Sequence, residues 1–141
     1  MSEARATGRC LCSAVSYEVH GPLRDIVLCH CVECLRWSGT AGAFAAAANE
    51  HLVVRGDTLR WIESPDSIRH AQRAFCTECG SSMFWRAADA ERTGIAAGTL
   101  DPPTGLRLTA HIYTNHAPDW DALPEDGVAR DPDSSYTPRW T

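Results

Sequence analysis

The chain has 141 residues, an apolar fraction of 44% and a net charge of −5. This length predicts one domain, and the apolar fraction is ordinary for a globular protein. All 13 basic residues are arginine, which excludes chemistry that needs a lysine amine. The acidic balance argues against a nucleic-acid partner. The chain shows neither a signal-peptide-like start nor a membrane-length apolar run, so we expect a cytoplasmic protein with no membrane partner.

Short β-rich runs follow one another along the chain, separated by glycine, proline and aspartate turn signals. They cover residues 14–19, 26–28, 52–54, 58–62, 82–85 and 108–113. The alanine-rich stretch 41–49 fits a helix by propensity and a strand by its length and flanking glycines. The polar, proline-marked tail 125–141 is expected to run over the surface or to be partly disordered. The pattern as a whole predicts a mainly β fold with little helix.

All seven cysteines lie in three tight clusters. These are the first pair (Cys10 and Cys12), the cysteine triad (Cys29, Cys31 and Cys34) and the second pair (Cys76 and Cys79). Thiolates two or three residues apart can converge on one metal ion, and zinc is the metal that such sites usually bind. The odd number and the expected reducing compartment argue against disulfides. Seven ligands divide into four, which close a structural site, and three, which leave one coordination position open.

The spacing allows two groupings of these clusters. We favour a four-thiolate site made by the two pairs, because the triad falls within six residues and needs no distant ligand to define a face around an ion. In the alternative, Cys31 and Cys34 join the second pair as a zinc ribbon, and Cys29 remains with the first pair. A zinc ion on three thiolates keeps a bound thiol ionised at neutral pH, which points to thiol chemistry.

Longer motifs around the cysteines resemble a known family. They are Gly8-Arg9-Cys10-Leu11-Cys12-Ser13-Ala14-Val15, the segment 29–34 with Ser38-Gly39 behind it, and Phe75-Cys76-Thr77-Glu78-Cys79-Gly80-Ser81. With weaker matches at 98–101 and 111–120, they resemble the glutathione-dependent formaldehyde-activating enzyme family, which also includes centromere protein V. The resemblance covers about 8–123. The chain departs from the family at Ser13, where glycine is common, and at Leu35, where a basic or polar residue is common.

The resemblance implies both a fold and an activity. The implied fold is a zinc-stapled β-tent of small antiparallel sheets at residues 8–124, between a tail at 1–7 and a polar extension at 125–141. It places a structural zinc on the two pairs and a second zinc on the cysteine triad, so two zinc ions per chain. The implied activity joins glutathione, a small thiol partner, to formaldehyde as S-hydroxymethylglutathione, formally a carbon–sulfur lyase reaction.

Several other residues have both a functional and a structural interpretation. His111 is a candidate catalytic proton shuttle or a core histidine, and His30 is a candidate for a structural hydrogen bond or, less favoured, for a metal ligand. Arg36 is a candidate for binding a substrate carboxylate or a solvated arginine. Ser38 and Gly39 are candidates for substrate binding through their backbone N–H groups, or a plain turn.

Two rival functions use the same cysteines. In a non-catalytic zinc-stabilised binding module, the protein itself would supply a fourth ligand to the triad. A zinc hydrolase would need a carboxylate base near the triad, for which Glu33 is the close candidate.

Overall fold

The computed structural model describes residues 3–65 and 67–141, and its secondary structure is mainly β, as the sequence predicts. The strands are β1 (Ala6–Arg9), β2 (Ser16–Val19), β3 (Leu23–Cys29), β4 (Gly42–Ala48), β5 (Leu52–Arg55), β6 (Leu59–Glu63), β7 (Gln72–Cys76), β8 (Ser82–Arg86), β9 (Arg92–Ala96), β10 (Leu108–Ile112) and β11 (Ala129–Arg130). The described residues contain one α-helix, α1 (Val32–Ser38), which follows β3, and short 3-10 turns at Asn49–His51, Ala97–Thr99 and Thr114–His116. Within the described ranges, no helix is long and apolar enough to cross a membrane.

The strands form two sheets. The small sheet has the order β1-β2-β5, and the large sheet has the order β11-β10-β3-β4-β9-β8-β7-β6. Most neighbours are antiparallel, as expected, but β10 runs parallel to both β3 and β11. A run of short strands in the sequence does not reveal such parallel pairs, because their connections are long.

The two faces of the large sheet have different neighbours, because successive side chains on a strand point to opposite sides. Ala45, Phe84 and Ile95 face the main core, which they share with Val15, Tyr17 and Val19 around the small sheet. The rings of Tyr17 and Phe84 meet edge to face at 5.3 Å. The adjacent residues on these strands, Phe44, Trp85 and Gly94, lie on the other face, where they line a cavity.

The ambiguous alanine stretch forms strand β4 at the centre of the large sheet. Its backbone pairs with β3 on one side and β9 on the other, and Ala45, Ala46 and Ala47 are buried. Hydrogen bonding and burial on both sides outweigh the helix propensity of alanine, which is a weak preference of a fraction of a kcal/mol per residue. Small side chains here leave space for neighbours on both faces.

The tail runs over the surface but is more closely attached to the sheet than its composition indicates. The backbone of Thr141 exchanges two hydrogen bonds with Leu23 at 2.7 and 2.8 Å. The guanidinium of Arg139 donates to the carboxylate of Asp25 at 3.1 Å, and Asp25 is only 2% exposed. The tail therefore supplies an ion-pair partner for a buried carboxylate in β3, which also accepts from the backbone N–H of Arg107.

Candidate functional site

Two turns bring four cysteines together. Cys10 and Cys12 lie in the turn between β1 and β2, Cys76 ends β7, and Cys79 lies in the turn before β8. Their sulfurs all lie within 4.8 Å of one another, with 3.7 Å between Cys10 and Cys12 and 3.8 Å between Cys12 and Cys76. Four sulfurs about 2.3 Å from a central zinc ion form a tetrahedron with edges of about 3.8 Å. The group therefore fits a closed metal site, and all seven cysteines are free thiols.

Hydroxyl groups support this four-cysteine group. Thr58 Oγ1 lies 3.3 Å from the sulfur of Cys76, and Ser81 Oγ lies 3.2 Å from that of Cys79. Hydrogen bonds from the Ser81 hydroxyl and backbone lower the pKa of the Cys79 thiol to about 5. Gly80 closes the turn with φ of 77°, a backbone region that glycine enters without steric cost. These contacts favour, at Cys76 and Cys79, the thiolate form that a metal requires.

Ser13 adopts a left-handed backbone conformation with φ of 71°. At this position the family that the motifs resemble commonly has glycine. This conformation is unfavourable for a residue with a Cβ atom. The Ser13 hydroxyl lies 3.0 Å from Arg9 Nη1, which also donates to the carbonyls of Cys10 and Leu11. The hydrogen-bonded arginine holds this turn in place despite the missing glycine.

The second cysteine group is the triad, built where β3 meets α1. Cys29 ends β3, Cys31 is the N-cap of α1, and Cys34 lies in its first turn. The three sulfurs lie within 4.8 Å of one another, and no histidine, aspartate or glutamate in the described residues joins them as a fourth ligand. The sulfurs are thus grouped as four and three, and the zinc-ribbon grouping is not formed. The fourth ligand required by the binding-module hypothesis is not present among these residues.

The local contacts favour negative charge on one sulfur of the triad, that of Cys31. The N–H of Cys34 donates to the sulfur of Cys31 at 3.3 Å, as expected of an N-cap. Hydrogen bonds from the thiols of Cys29 and Cys34 lower the pKa of the Cys31 thiol to about 2, and the charge of Arg73 acts in the same direction. The hydrogen bonds that favour the Cys31 thiolate raise the pKa of the Cys29 thiol. A hydrogen bond with Cys29 lowers the pKa of the Cys34 thiol, but the contact with Cys31 and burial outweigh it and raise that pKa to about 11. Three converging sulfur ligands suit a thiophilic ion such as zinc.

A cavity of about 540 Å³ opens beside the triad, and all three cysteines line it. This volume is within the usual range for small-molecule sites. Its apolar lining includes Val27, Phe44, Trp85 and Ile112, and its basic lining consists of Arg24, Arg69, Arg73, Arg92 and His116. Glu33 is the one acid among the described residues of the lining. The cavity is therefore cationic in a chain whose net charge is −5.

Arg73 connects this cavity to the triad. It is 3% exposed, and its Nη2 lies 3.6 Å from the sulfur of Cys34. Its Nε donates to Ser64 Oγ at 3.1 Å, and the Ser64 hydroxyl donates in turn to Glu33. Its Nη1 is buried and has no hydrogen-bond partner among the described residues. A buried donor without a partner costs free energy unless a ligand accepts from it, so this atom indicates a place for an anionic or carbonyl oxygen.

The structure places both predicted histidines beside the cavity rather than in its lining. His111 is fully buried on β10, with Nδ1 3.0 Å from Nε2 of His30 and Nε2 2.9 Å from Asp126. His30 takes the structural role that the sequence favoured, at 2% exposure. Ile112, the neighbour of His111, lines the cavity and pairs with Cys29. Because adjacent strand residues point to opposite faces, a direct proton-shuttle contact by His111 is not supported.

The predicted substrate-binding residues Arg36, Ser38 and Gly39 also lie outside the cavity lining. All three are exposed, in or after the last turn of α1. Helix α1 begins at the triad and its axis carries later residues away from it, so nearness in sequence does not bring these residues to the site. The arginines that line the cavity are instead Arg69 and three residues on strands β3, β7 and β9.

Sequence reasoning missed these arginines and His116. Arg73 lies three residues before Cys76, but the sequence pattern does not predict strand β7, so it does not indicate the face on which Arg73 lies. Arg24 and Arg92 lie far from any cysteine in sequence. Only the presence of Arg73 close to a cysteine motif offered a signal.

The comparisons with known proteins agree with the motifs. A family model described as glutathione-dependent formaldehyde-activating enzyme matches residues 5–116. A crystal structure of a Rhodobacter sphaeroides protein is similar to this chain at 28% sequence identity and a TM-score of 0.56. The similarity covers 68% of this chain and 88% of that one. No curated protein matches the chain.

Proposed function

Since the chain belongs to the glutathione-dependent formaldehyde-activating enzyme family, we propose that it is a zinc-dependent enzyme of carbon–sulfur lyase type. It joins a small anionic thiol of the glutathione class to formaldehyde and also catalyses the reverse cleavage. Seven unpaired thiols arranged for metal binding support a reducing, cytoplasmic setting.

One observation carries this proposal: three convergent thiols lie in the wall of a cationic cavity large enough for a small molecule. The arginines suit the carboxylates of glutathione. The apolar side chains, among them Phe44 and Trp85, limit the access of water to the reacting atoms. A zinc ion held by Cys29, Cys31 and Cys34 would supply a Lewis-acidic position that favours the thiolate form of a substrate.

The reaction needs no oxidant or reductant. The sulfur electron pair forms a bond to the formaldehyde carbon, and the carbonyl π pair moves to oxygen. The proton lost by the thiol ends on that oxygen. The hydroxymethyl thioether therefore contains all the atoms of the thiol and the aldehyde. Negative charge develops on the oxygen before the proton arrives.

Arg73 is the residue we assign to that oxygen. Arg73 lines the cavity, its buried Nη1 has no hydrogen-bond partner among the described residues, and its Nη2 contact with Cys34 holds the guanidinium beside the triad. A donor already in position stabilises developing charge without reorganisation. His116, which lines the cavity, is the titratable group we propose for proton transfer in place of His111.

The proposal is tested with zinc-loaded protein, glutathione and ¹³C-formaldehyde. Exchange NMR measures the rate of S-hydroxymethylglutathione formation against the uncatalysed rate in the same buffer. We expect acceleration by the native protein. We expect Arg73→Met to reduce kcat/KM by about 100-fold, the usual effect of losing one such donor. Arg36→Met, a change outside the cavity, is the matched control and keeps the native rate.

Zinc content is measured for each variant, because Arg73 also contacts a cysteine of the triad. An Arg73→Met protein with native zinc content and native rate would contradict the role of Arg73. A native protein with two zinc ions that fails to exceed the uncatalysed rate would contradict the proposed reaction.

A further inference from the structure

The floor of the cavity is a strip of the large sheet centred on β4. Cys29 on β3 is opposite Gly42 at one end of β4, and Arg24 on β3 is opposite Ala46. On the other side of β4, Arg92 on β9 is opposite Ala48. A strand rises about 3.3 Å per residue. Measured along β4 from Gly42, the backbone of Arg24 therefore lies about 13 Å from the triad end of the floor, and that of Arg92 lies further away.

These two arginines flank the far end of the floor without an acidic partner. Among the described residues, neither forms an ion pair with a carboxylate, although both line the cavity. Arg24 is partly buried, and its Nη2 donates to the carbonyl of Phe44 at 2.9 Å, which holds the guanidinium over the floor. Burial and the nearby charge of Arg92 lower the pKa of Arg24 to about 10. Two like charges side by side at the edge of an apolar floor are costly unless an anion lies between them.

We propose that Arg24 and Arg92 form a carboxylate subsite that selects the thiol substrate by the distance between its sulfur and its carboxylate. This inference rests on the proposed function, because the sulfur is taken to lie at the triad. The long side chains of the two arginines reach part of the way toward the triad. Free cysteine, whose carboxylate is adjacent to its sulfur-bearing side chain, is too short to occupy both places. A peptide thiol whose carboxylate lies at least one amide group further away spans them.

The tail completes this subsite. Trp140 forms a backbone bridge with Arg24, and Tyr136, Thr137, Pro138 and Trp140 line the cavity above the floor. These residues lie outside the region 5–116 that the family model matches. The far end of the cavity, and with it the size limit for the thiol, therefore depends on a part of this chain that the family motifs do not include.

Titration calorimetry on zinc-loaded protein tests the subsite with glutathione, glutathione diethyl ester and cysteamine, which has a thiol and no carboxylate. We expect Arg92→Gln and Arg24→Gln each to weaken glutathione binding about tenfold, the effect of losing a hydrogen bond to a charged group. Cysteamine binding should stay within about twofold, because its sulfur contacts only the triad end. The native protein should bind the diethyl ester about as weakly as Arg92→Gln binds glutathione. Arg36→Gln is the matched control, since that exposed arginine lies outside the cavity.

The outcomes separate the subsite from the proposed function. Native glutathione affinity in both variants, or an equal loss of affinity for cysteamine, would overturn the subsite while leaving the reaction intact. Selective loss of glutathione binding in a protein that shows no catalysis would support the subsite and overturn the reaction. Failure of the native protein to bind any of the three thiols would overturn both.

Discussion

The same residue type serves in two different settings in this chain. The sulfur of Cys76, at the end of β7, belongs to a group of four sulfurs that comes from two turns distant in sequence. The sulfur of Cys31, at the start of α1, belongs to a group of three from one continuous segment. A metal ion in the first group links two parts of the fold, whereas one in the second group links residues that the backbone already holds together.

Single substitutions should separate these two roles. Cys31→Ser is expected to reduce the metal content from two ions per chain to about one, with little change in Tm and a loss of activity. Cys76→Ser is expected to reduce the metal content equally but to lower Tm by about 10 °C, because the ion in that group contributes folding free energy. Metal analysis and thermal unfolding followed by circular dichroism measure both quantities. A larger fall in Tm for Cys31→Ser than for Cys76→Ser would contradict the distinction.

At the scale of elements, the tail is organised around one carboxylate. Asp131 is 9% exposed and accepts from the backbone N–H of Asp133 at 3.0 Å, the N–H of Tyr136 at 2.7 Å and the hydroxyl of Ser135 at 3.0 Å. Its own backbone N–H donates to the carbonyl of His111 on β10. These hydrogen bonds of Asp131 hold the start of the segment whose later residues line the cavity.

The contribution of the Asp131 hydrogen bonds to the stability of the protein should depend on pH. Hydrogen bonds, first of all from the Asp133 backbone, lower the pKa of Asp131 below its ordinary value of 3.8. Because the pKa of Asp131 is lower in the folded state, its contribution to the free energy of unfolding is complete well above the ordinary pKa of 3.8 and is lost as pH falls through the folded-state pKa. Asp131→Asn should therefore lower Tm by a few degrees at pH 7, and the difference should shrink as the pH falls below about 4. Thermal unfolding from pH 3 to 8 measures this, with the exposed Asp119→Asn as control, and a difference independent of pH would contradict it.

For the whole molecule, the four-cysteine group joins the two sheets. Cys10 and Cys12 belong to the β1–β2 hairpin of the small sheet, whereas Cys76 and Cys79 belong to β7 and its turn in the large sheet. The two sheets also share the apolar core around Tyr17, Phe84 and Ile95. A metal ion at this group would therefore add to hydrophobic packing that already holds the sheets together.

Removal of the metal should loosen the small sheet first. Treatment with a strong chelator is expected to lower Tm by about 10 °C and to increase amide hydrogen exchange in β1 and β2 more than in β3 and β4. Stoichiometric Zn²⁺ should restore both. Cys31→Ser should show the same response to the chelator, because it retains the four-cysteine group. Uniform loss of protection across both sheets would contradict this view.

The cysteine clusters and the mainly β character could be predicted from the sequence because both are local properties. Ligands two or three residues apart reach one ion from a single turn, and alternating short runs indicate strands without reference to their partners. The strand β4 could not be assigned, because its alanines favour a strand only when β3 and β9 pair with both of its edges.

The surroundings of the cysteine triad were decided by the tertiary structure. His111 and Arg36 are close to the motifs in sequence but lie outside the cavity, whereas Arg24, Arg73 and Arg92 come from three strands and meet in its lining. The face on which a strand residue lies depends on register and on bulges, and a shift of one residue reverses it. The sequence by itself therefore determined which atoms can hold a metal, and only strand order and register decided which charges surround it.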